Sequence, residues 1–128
     1  KLKLVNPVNQ SITYHDSCYL GRYNGLYQEP RKVIQSISGA KMVEMDRNCE
    51  RSFCCGAGGG RMWMVEHKGK RINHLRFEDA LKTKAPMIGT ACPFCLTMLD
   101  DATKDKEMEE SIMVKDVTEL IEEALEKK

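Results

Sequence analysis

The sequence predicts an α/β domain, a four-stranded and mostly parallel sheet with helices on both faces and cysteine-bearing loops at the C-terminal edge of the strands. Three observations predict it. Short runs of β-branched and apolar residues alternate with helical patterns four times along the chain. The run Met87 to Ala91 is short and mostly apolar, as in a parallel strand buried on both sides. The 128 residues suffice for one core without disulfide staples, so one domain is the working count.

Ser11 to His15 (SITYH) is the first strand, closed by Asp16-Ser17, and Cys18 lies in the loop that follows. From Pro30 a helix follows, with Val33, Ile34 and Ile37 on one face and Gly39 just past its end. Lys41 to Met45 is the second strand, and the polar stretch Asp46 to Ser52 leads from it into Phe53-Cys54-Cys55-Gly56-Ala57-Gly58-Gly59-Gly60. Arg61 onward is helical in composition, interrupted near Gly69 and resuming with Ile72, Leu75, Ala80 and Leu81 until Pro86 stops it. Met87 to Ala91 is the third strand and runs into Cys92-Pro93-Phe94-Cys95, where a helix starts and continues through Leu96 to Ala102. Ile112 to Val114 is the fourth strand. Asp116 to Leu125 is the last helix, with Asp116 as cap, Glu119 reaching back, and Val117, Leu120, Ile121 and Ala124 on one face.

Residues 1–10 read as an N-terminal extension or linker and 11–128 as the domain. The opening at Lys1 and the helical ending at Glu122 to Lys128 suggest a piece from the C-terminal side of a longer protein. A net charge of +1 offers no long-range field for nucleic acid or an anionic membrane. No run approaches the roughly 20 apolar residues of a membrane helix, and Lys1 to Gln10 lacks the hydrophobic stretch of a signal peptide. The expected location is the cytoplasm, with any membrane association peripheral and made through partner subunits.

Six cysteines in such a chain fit either a secreted disulfide scaffold or an intracellular metal or redox site. Long amphipathic helical patterns and the absence of a secretion signal favour reduced thiols. In a parallel sheet every strand's C-terminal end faces the same way, so the loops carrying Cys18, Cys54-Cys55 and Cys92 to Cys95 should open onto one edge. Five thiolates exceed what one tetrahedral ion takes, which points to a multinuclear centre. A structural zinc held by four of them stays open, as does a thiol-disulfide oxidoreductase built on Cys92 and Cys95. Gly56, Gly58 and Gly59, in the run to Gly60, would let backbone N–H groups approach sulfur, and the run lacks the Lys-Ser/Thr ending of a phosphate-binding loop. Cys92 and Cys95 at a helix start would meet unpaired N–H groups that favour negative charge.

Other residues carry two readings each. Arg22, Arg47, Arg51 and Arg61 lie near the cysteine loops and either offset an anionic centre or are surface arginines. His15 either serves the centre or packs as a structural histidine. Cys49, in a polar loop, reads by default as an oxidisable surface thiol. His67 and His74 read as exposed. Met42, Met45, Met62, Met64, Met87, Met98 and Trp63 read as core, and Asp100 to Glu110 as a solvated face or loop.

Cys18, Cys54-Cys55-Gly56 and Cys92-Pro93-Phe94-Cys95 fall at nearly equal spacing, and this arrangement resembles the cysteine-rich CCG domain of heterodisulfide reductase catalytic subunits and related iron-sulfur oxidoreductases. The wording Tyr14-His15-Asp16-Ser17-Cys18-Tyr19-Leu20-Gly21-Arg22 and Phe53-Cys54-Cys55-Gly56-Ala57-Gly58-Gly59-Gly60-Arg61 strengthens the resemblance, which runs from about Ile12 to the last helix. It implies that Cys18, Cys54, Cys55, Cys92 and Cys95 bind a noncubane [4Fe-4S] cluster that passes electrons to a disulfide or quinone-linked acceptor. It further implies an electron-transfer complex with a ferredoxin-like module, a second CCG domain or a flavoprotein as partners. One copy alone leaves a pocket shared between two domains incomplete. Cys49 is outside the pattern.

Overall fold

Alternate side chains of a strand point to opposite faces, so a central strand with apolar residues at successive positions builds a core on each side. In the computed structural model, which describes residues 2–65 and 68–126, the chain runs β1 (Ser11–Tyr14), α1 (Gln28–Gln35), β2 (Lys41–Met42), α2 (Ile72–Lys82), β3 (Met87–Thr90), α3 (Pro93–Asp105), β4 (Met113–Asp116) and α4 (Val117–Ala124). Two 3-10 segments, Cys49–Arg51 and Gly58–Trp63, separate β2 from α2. The sheet order is β2-β1-β3-β4 and every pair is parallel.

One core lies under α1 and α4, where Ile12 and Tyr14 of β1 and Met87 of β3 meet Ile34, Ile37, Leu120 and Ala124. The other lies under α2 and α3, where Ile88 meets Phe77, Ala80, Leu99 and Ala102. Met87 and its neighbour Ile88 thus serve opposite faces, which is the two-sided burial expected of β3. The strand order reverses between β1 and β3, because β1 continues to β2 on one side while β3 pairs on the other. At such a switch point an α/β sheet leaves a crevice beyond its strand ends.

Several elements differ from the sequence reading. β2 is two residues rather than five, since it is an edge strand paired only with β1. The first helix begins at Gln28, two residues before Pro30, and stops at Gln35; Ile37 is buried beyond its end while Val33 faces outward. Among the described residues no α-helix runs from Arg61: Gly59 and Gly60 take left-handed φ values of 65° and 75°, the chain continues as a short 3-10 segment to Trp63, and α-helix begins at Ile72. Trp63, expected in the core, rides on this segment and is 79% exposed, and Met64 is also exposed. α3 extends to Asp105 and buries Ala102 and Thr103, while Asp101 and Lys104 to Glu107 are exposed, so the acidic stretch is a helix end with a solvated face, as expected. At α4 the cap is as expected: the Asp116 side chain accepts from Thr118 N at 2.9 Å, and Asp116 N donates to Glu119 Oε2 at 2.7 Å.

The stretch before β1 lies against the body. Val5 and Asn6 donate through their backbone N–H groups to Ala124 O, at 2.8 and 3.0 Å, and Val8 joins the α1–α4 core. Among the described residues no helix is long and apolar enough to cross a membrane.

Candidate metal centre

The crevice at the switch point is lined by sulfur. A cavity of about 30 Å³ beyond β1 and β3 is walled by Cys18, Cys49, Cys54, Cys55 and Cys95, together with His15 and Ser17. Cys92, the N-cap residue of α3, packs beside Cys55, Cys95 and Met98 at the same place. The three loops meet for simple reasons. The β1–β3 ladder continues past the strand end, with His15 N donating to Gly89 O at 2.9 Å, which holds the segment before Cys18 next to β3. Pro93 starts α3 immediately after Cys92, and this tucks Cys95 into the first turn, buried. Gly56, at φ 90°, turns the chain after the cysteine pair, and a Cβ there would stand 3.0 Å from that of Ile72. Its N–H donates to Cys54 Sγ at 3.2 Å.

The thiols crowd one another. A hydrogen bond with Cys55, followed by burial, holds the Cys54 thiol well above its ordinary range against the Gly56 N–H and the Arg22 charge. The Cys54 hydrogen bond alone would favour thiolate at Cys55, but the hydrogen bond to Cys95, burial and the Cys95 charge outweigh it, and Cys55 is pushed up to about 12. Packing several thiolates together without a cation is therefore costly, and a bound cation removes the cost.

Two buried arginines frame the cavity. Arg31 of α1 grips Asp16 with both ends of its fork, each at 2.7 Å, and also reaches Glu44 at 2.6 and 3.0 Å. Burial works against the charge on Asp16, but its bonds from Arg31 and from Cys49 N keep its carboxyl below the usual range. Arg76 of α2, fully buried, donates to His15 Nδ1 at 2.9 Å, to Ser52 Oγ at 3.1 Å and to Arg47 O at 2.8 Å. Burial, and then the Arg76 charge, lower His15 to about 3. A ring nitrogen of His15 and the sulfurs of Cys55 and Cys95 all lie within 4.8 Å of one another.

A family model for the CCG cysteine-rich domain matches residues 12–100, most of the chain. The chain belongs to that family. This CCG domain is 50% identical over 125 residues to the probable iron-sulfur-binding oxidoreductase FadF of Bacillus subtilis, covering 98% of the chain and 18% of that protein. It is 47% identical to the EtfAB:quinone oxidoreductase of Syntrophomonas wolfei, over 98% of the chain and 18% of that protein. It is 44% identical to one polypeptide of the dihydromethanophenazine:CoB–CoM heterodisulfide reductase of Methanosarcina barkeri, over 98% of the chain and 30% of that polypeptide. The domain thus spans less than a third of the length of these relatives. No solved structure matches.

In this CCG domain the five cysteines of the motif gather at one rim, and Cys49 joins them on the cavity wall, though its loop read as surface. Cys49 is half-buried with φ 51°, and burial first of all raises its thiol. Gly56 fills the expected role of close approach. Gly58 and Gly59 stand in open space among the described residues, and Gly59 has left-handed backbone. Of the four arginines, Arg22 lines the cavity and donates to Ser52 O at 2.5 Å. Arg47 pairs with Asp79 at 2.7 Å and lies over the Phe53 ring. Arg51 lines a separate groove beside Cys49, and Arg61 lies in the wall of another small cavity with Gly56 and Met98. His74, expected in solvent, is half-buried and within 2.8 Å of Asp105. His67 lies outside the described residues. The sequence reading missed Arg31, Arg76 and Asp79, whose only signal was charge on helix positions that face the sheet.

The residues present fit a thiolate-bound centre. The donor set is sulfur from three loops, and Ser17 Oγ, buried in the cavity wall, has no hydrogen-bond partner among the described residues and is free to donate to sulfur.

Proposed function

We propose that this CCG domain is an iron-sulfur redox domain of a larger oxidoreductase, with Cys18, Cys54, Cys55, Cys92 and Cys95 holding a noncubane [4Fe-4S] cluster. One observation carries the reading: cysteines from three separate loops share one rim at the sheet's switch point. The names of the relatives, which include an iron-sulfur-binding oxidoreductase and a heterodisulfide reductase, support iron over other metals. Such a cluster supplies one-electron transfer at a potential set by its surroundings.

The protein's own groups do the rest. Cys55 and Cys95 are buried and shield one side of the centre, whereas Cys18 and Cys54 are exposed and leave the other side open to a reaction partner. Gly56 N–H already bonds the Cys54 sulfur, and Ser17 is placed to bond another. Arg22, at the cavity wall, offers positive charge to an anionic acceptor group. The acceptor, a disulfide or a quinone-linked partner, and the donor, a ferredoxin-like module, second CCG domain or flavoprotein, belong to parts of the assembly beyond this domain. Membrane association through such a partner is consistent with a relative named a probable membrane-anchored ferredoxin.

A single-ion reading has its own observation, since the Cys55 and Cys95 sulfurs lie within 4.8 Å of each other and with two more of the rim cysteines would hold one zinc. Anaerobic purification followed by iron, sulfide and zinc analysis separates the two. Iron with acid-labile sulfide and a paramagnetic signal on one-electron oxidation or reduction is the expected result. Zinc at one per chain, unchanged by redox state and with no iron after anaerobic reconstitution, would overturn it.

A further inference from the structure

A ring nitrogen of His15 lies within 4.8 Å of the Cys55 and Cys95 sulfurs, yet its neighbour on α2 decides what the ring can do. Arg76 is fully buried and does not own a carboxylate: Asp79 accepts from it at 3.3 Å but is held more closely by Arg47, at 2.7 and 2.8 Å. The guanidinium spends its Nε–H on His15 Nδ1, at 2.9 Å. A guanidinium has only donors. Nδ1 must therefore be the acceptor, which puts the ring's proton on Nε2. With the Nδ1 lone pair engaged and Nε2 protonated, the ring has no lone pair left for a metal.

We propose that His15 is not a ligand of the centre but a neutral Nε2–H donor to sulfur at Cys55 or Cys95, and that Arg76 is the positioning residue that fixes its tautomer. The proposal deepens the reading above and rests on it for the identity of the centre. Two observations and one general effect support it beyond simple packing. The histidine and the two sulfurs are buried together within 4.8 Å. Donation from a cation polarises the ring and strengthens the opposite N–H as a donor. Besides its longer bond to Asp79, Arg76 donates to Arg47 O and Ser52 Oγ, in the segment that leads into Cys54 and Cys55, so one side chain holds both the donor ring and the stretch of chain carrying one of the two sulfurs it faces. N–H···S bonds favour the more reduced, more negative state of a thiolate-bound centre and raise its potential.

The test begins with the 128-residue chain labelled with 15N-histidine, in its reduced thiol form and after anaerobic iron and sulfide loading. Long-range 1H–15N correlation on the thiol form, with His15 assigned by its loss in His15→Gln, should show the Nε2–H tautomer; the Nδ1–H form would overturn the proposal. Arg76→Lys, which can still donate to Nδ1, should keep that tautomer. Arg76→Met cannot donate, so a fraction of Nδ1–H should appear in it, as in a free neutral imidazole; a tautomer as pure as that of the wild type in a folded Arg76→Met chain would remove Arg76 from the role. In the loaded protein His15→Leu should retain wild-type iron and sulfide per chain with a more negative midpoint potential. Loss of iron in that variant, or strong directly bonded 15N coupling from His15 in the wild type, would make it a ligand instead. Failure of the wild type to bind iron would strike the function proposed above, while the tautomer of the thiol form still decides this one.

Discussion

The two sides of the cysteine rim are built differently. On the inner side, Cys55, Cys95 and His15 are buried and backed by charged side chains inside the fold, Arg76 with Asp79 and Arg31 with Asp16. On the outer side, Cys18 and Cys54 are exposed, and the chain beyond them passes through Gly59 and Gly60 to the exposed Trp63, Met64 and Val65. The inner side is thus fixed mainly by hydrogen bonds between separate parts of the chain, Arg76 to His15 and Arg31 to Asp16. The outer side is fixed by backbone turns of its own. A redox centre needs both, because fixed dipoles set its potential and an open face admits the partner.

That contrast can be tested from its strongest arm downward. Arg31→Met leaves Asp16 as a buried unpaired charge and should cost about 3–5 kcal/mol in denaturant unfolding; a loss under about 1 kcal/mol would mean that the inner network is ornamental. Acid attacks the same side. His15 is held down to about 3 by burial and by Arg76, so the unfolded chain takes up its proton below about 6.5 while the folded chain does not. Its contribution is therefore complete above about 6.5 and falls as pH drops toward 3. Asp16, also depressed, adds a loss below its unfolded value, near 3.8. Unfolding of the reduced thiol form should show stability falling by roughly 2–3 kcal/mol from pH 7 to pH 4, with a flatter profile in His15→Gln. On the outer side, Gly59→Ala puts a Cβ on left-handed backbone in open space and should cost about 1 kcal/mol. Trp63→Ser should change stability by less than about 0.5 kcal/mol, and a larger loss would show that the exposed segment is packed after all.

Much of this was legible before any coordinates. The four β-α units follow from local pattern, and the capping box at Asp116 and Glu119 was readable because its bonds span three residues. The cysteine loops were legible as a rim because parallel strands share a direction. Illegible features had no local signature. Arg31 and Arg76 look like surface charges on helices until the sheet beneath them is known. Trp63 looked like core because large aromatics usually are, and nothing near it announced that the chain after Gly60 would form only a short 3-10 turn at the surface. Cys49 was set aside because its loop is polar, yet the bond from its N–H to Asp16, 33 positions earlier, draws it to the cavity.

By itself the sequence determined the number and order of the strands, the direction they share, and which sulfurs could meet. These depend on hydrophobic period, on caps and on the handedness of crossovers, all of which act over a few residues or apply to every parallel sheet. The tertiary structure alone decided that β1 and β3 are neighbours, that the crevice opens between them, and that His15 takes a hydrogen bond from Arg76 across 61 positions of chain. A buried polar group must find its partner wherever the fold brings one, and no local pattern records which partner that is.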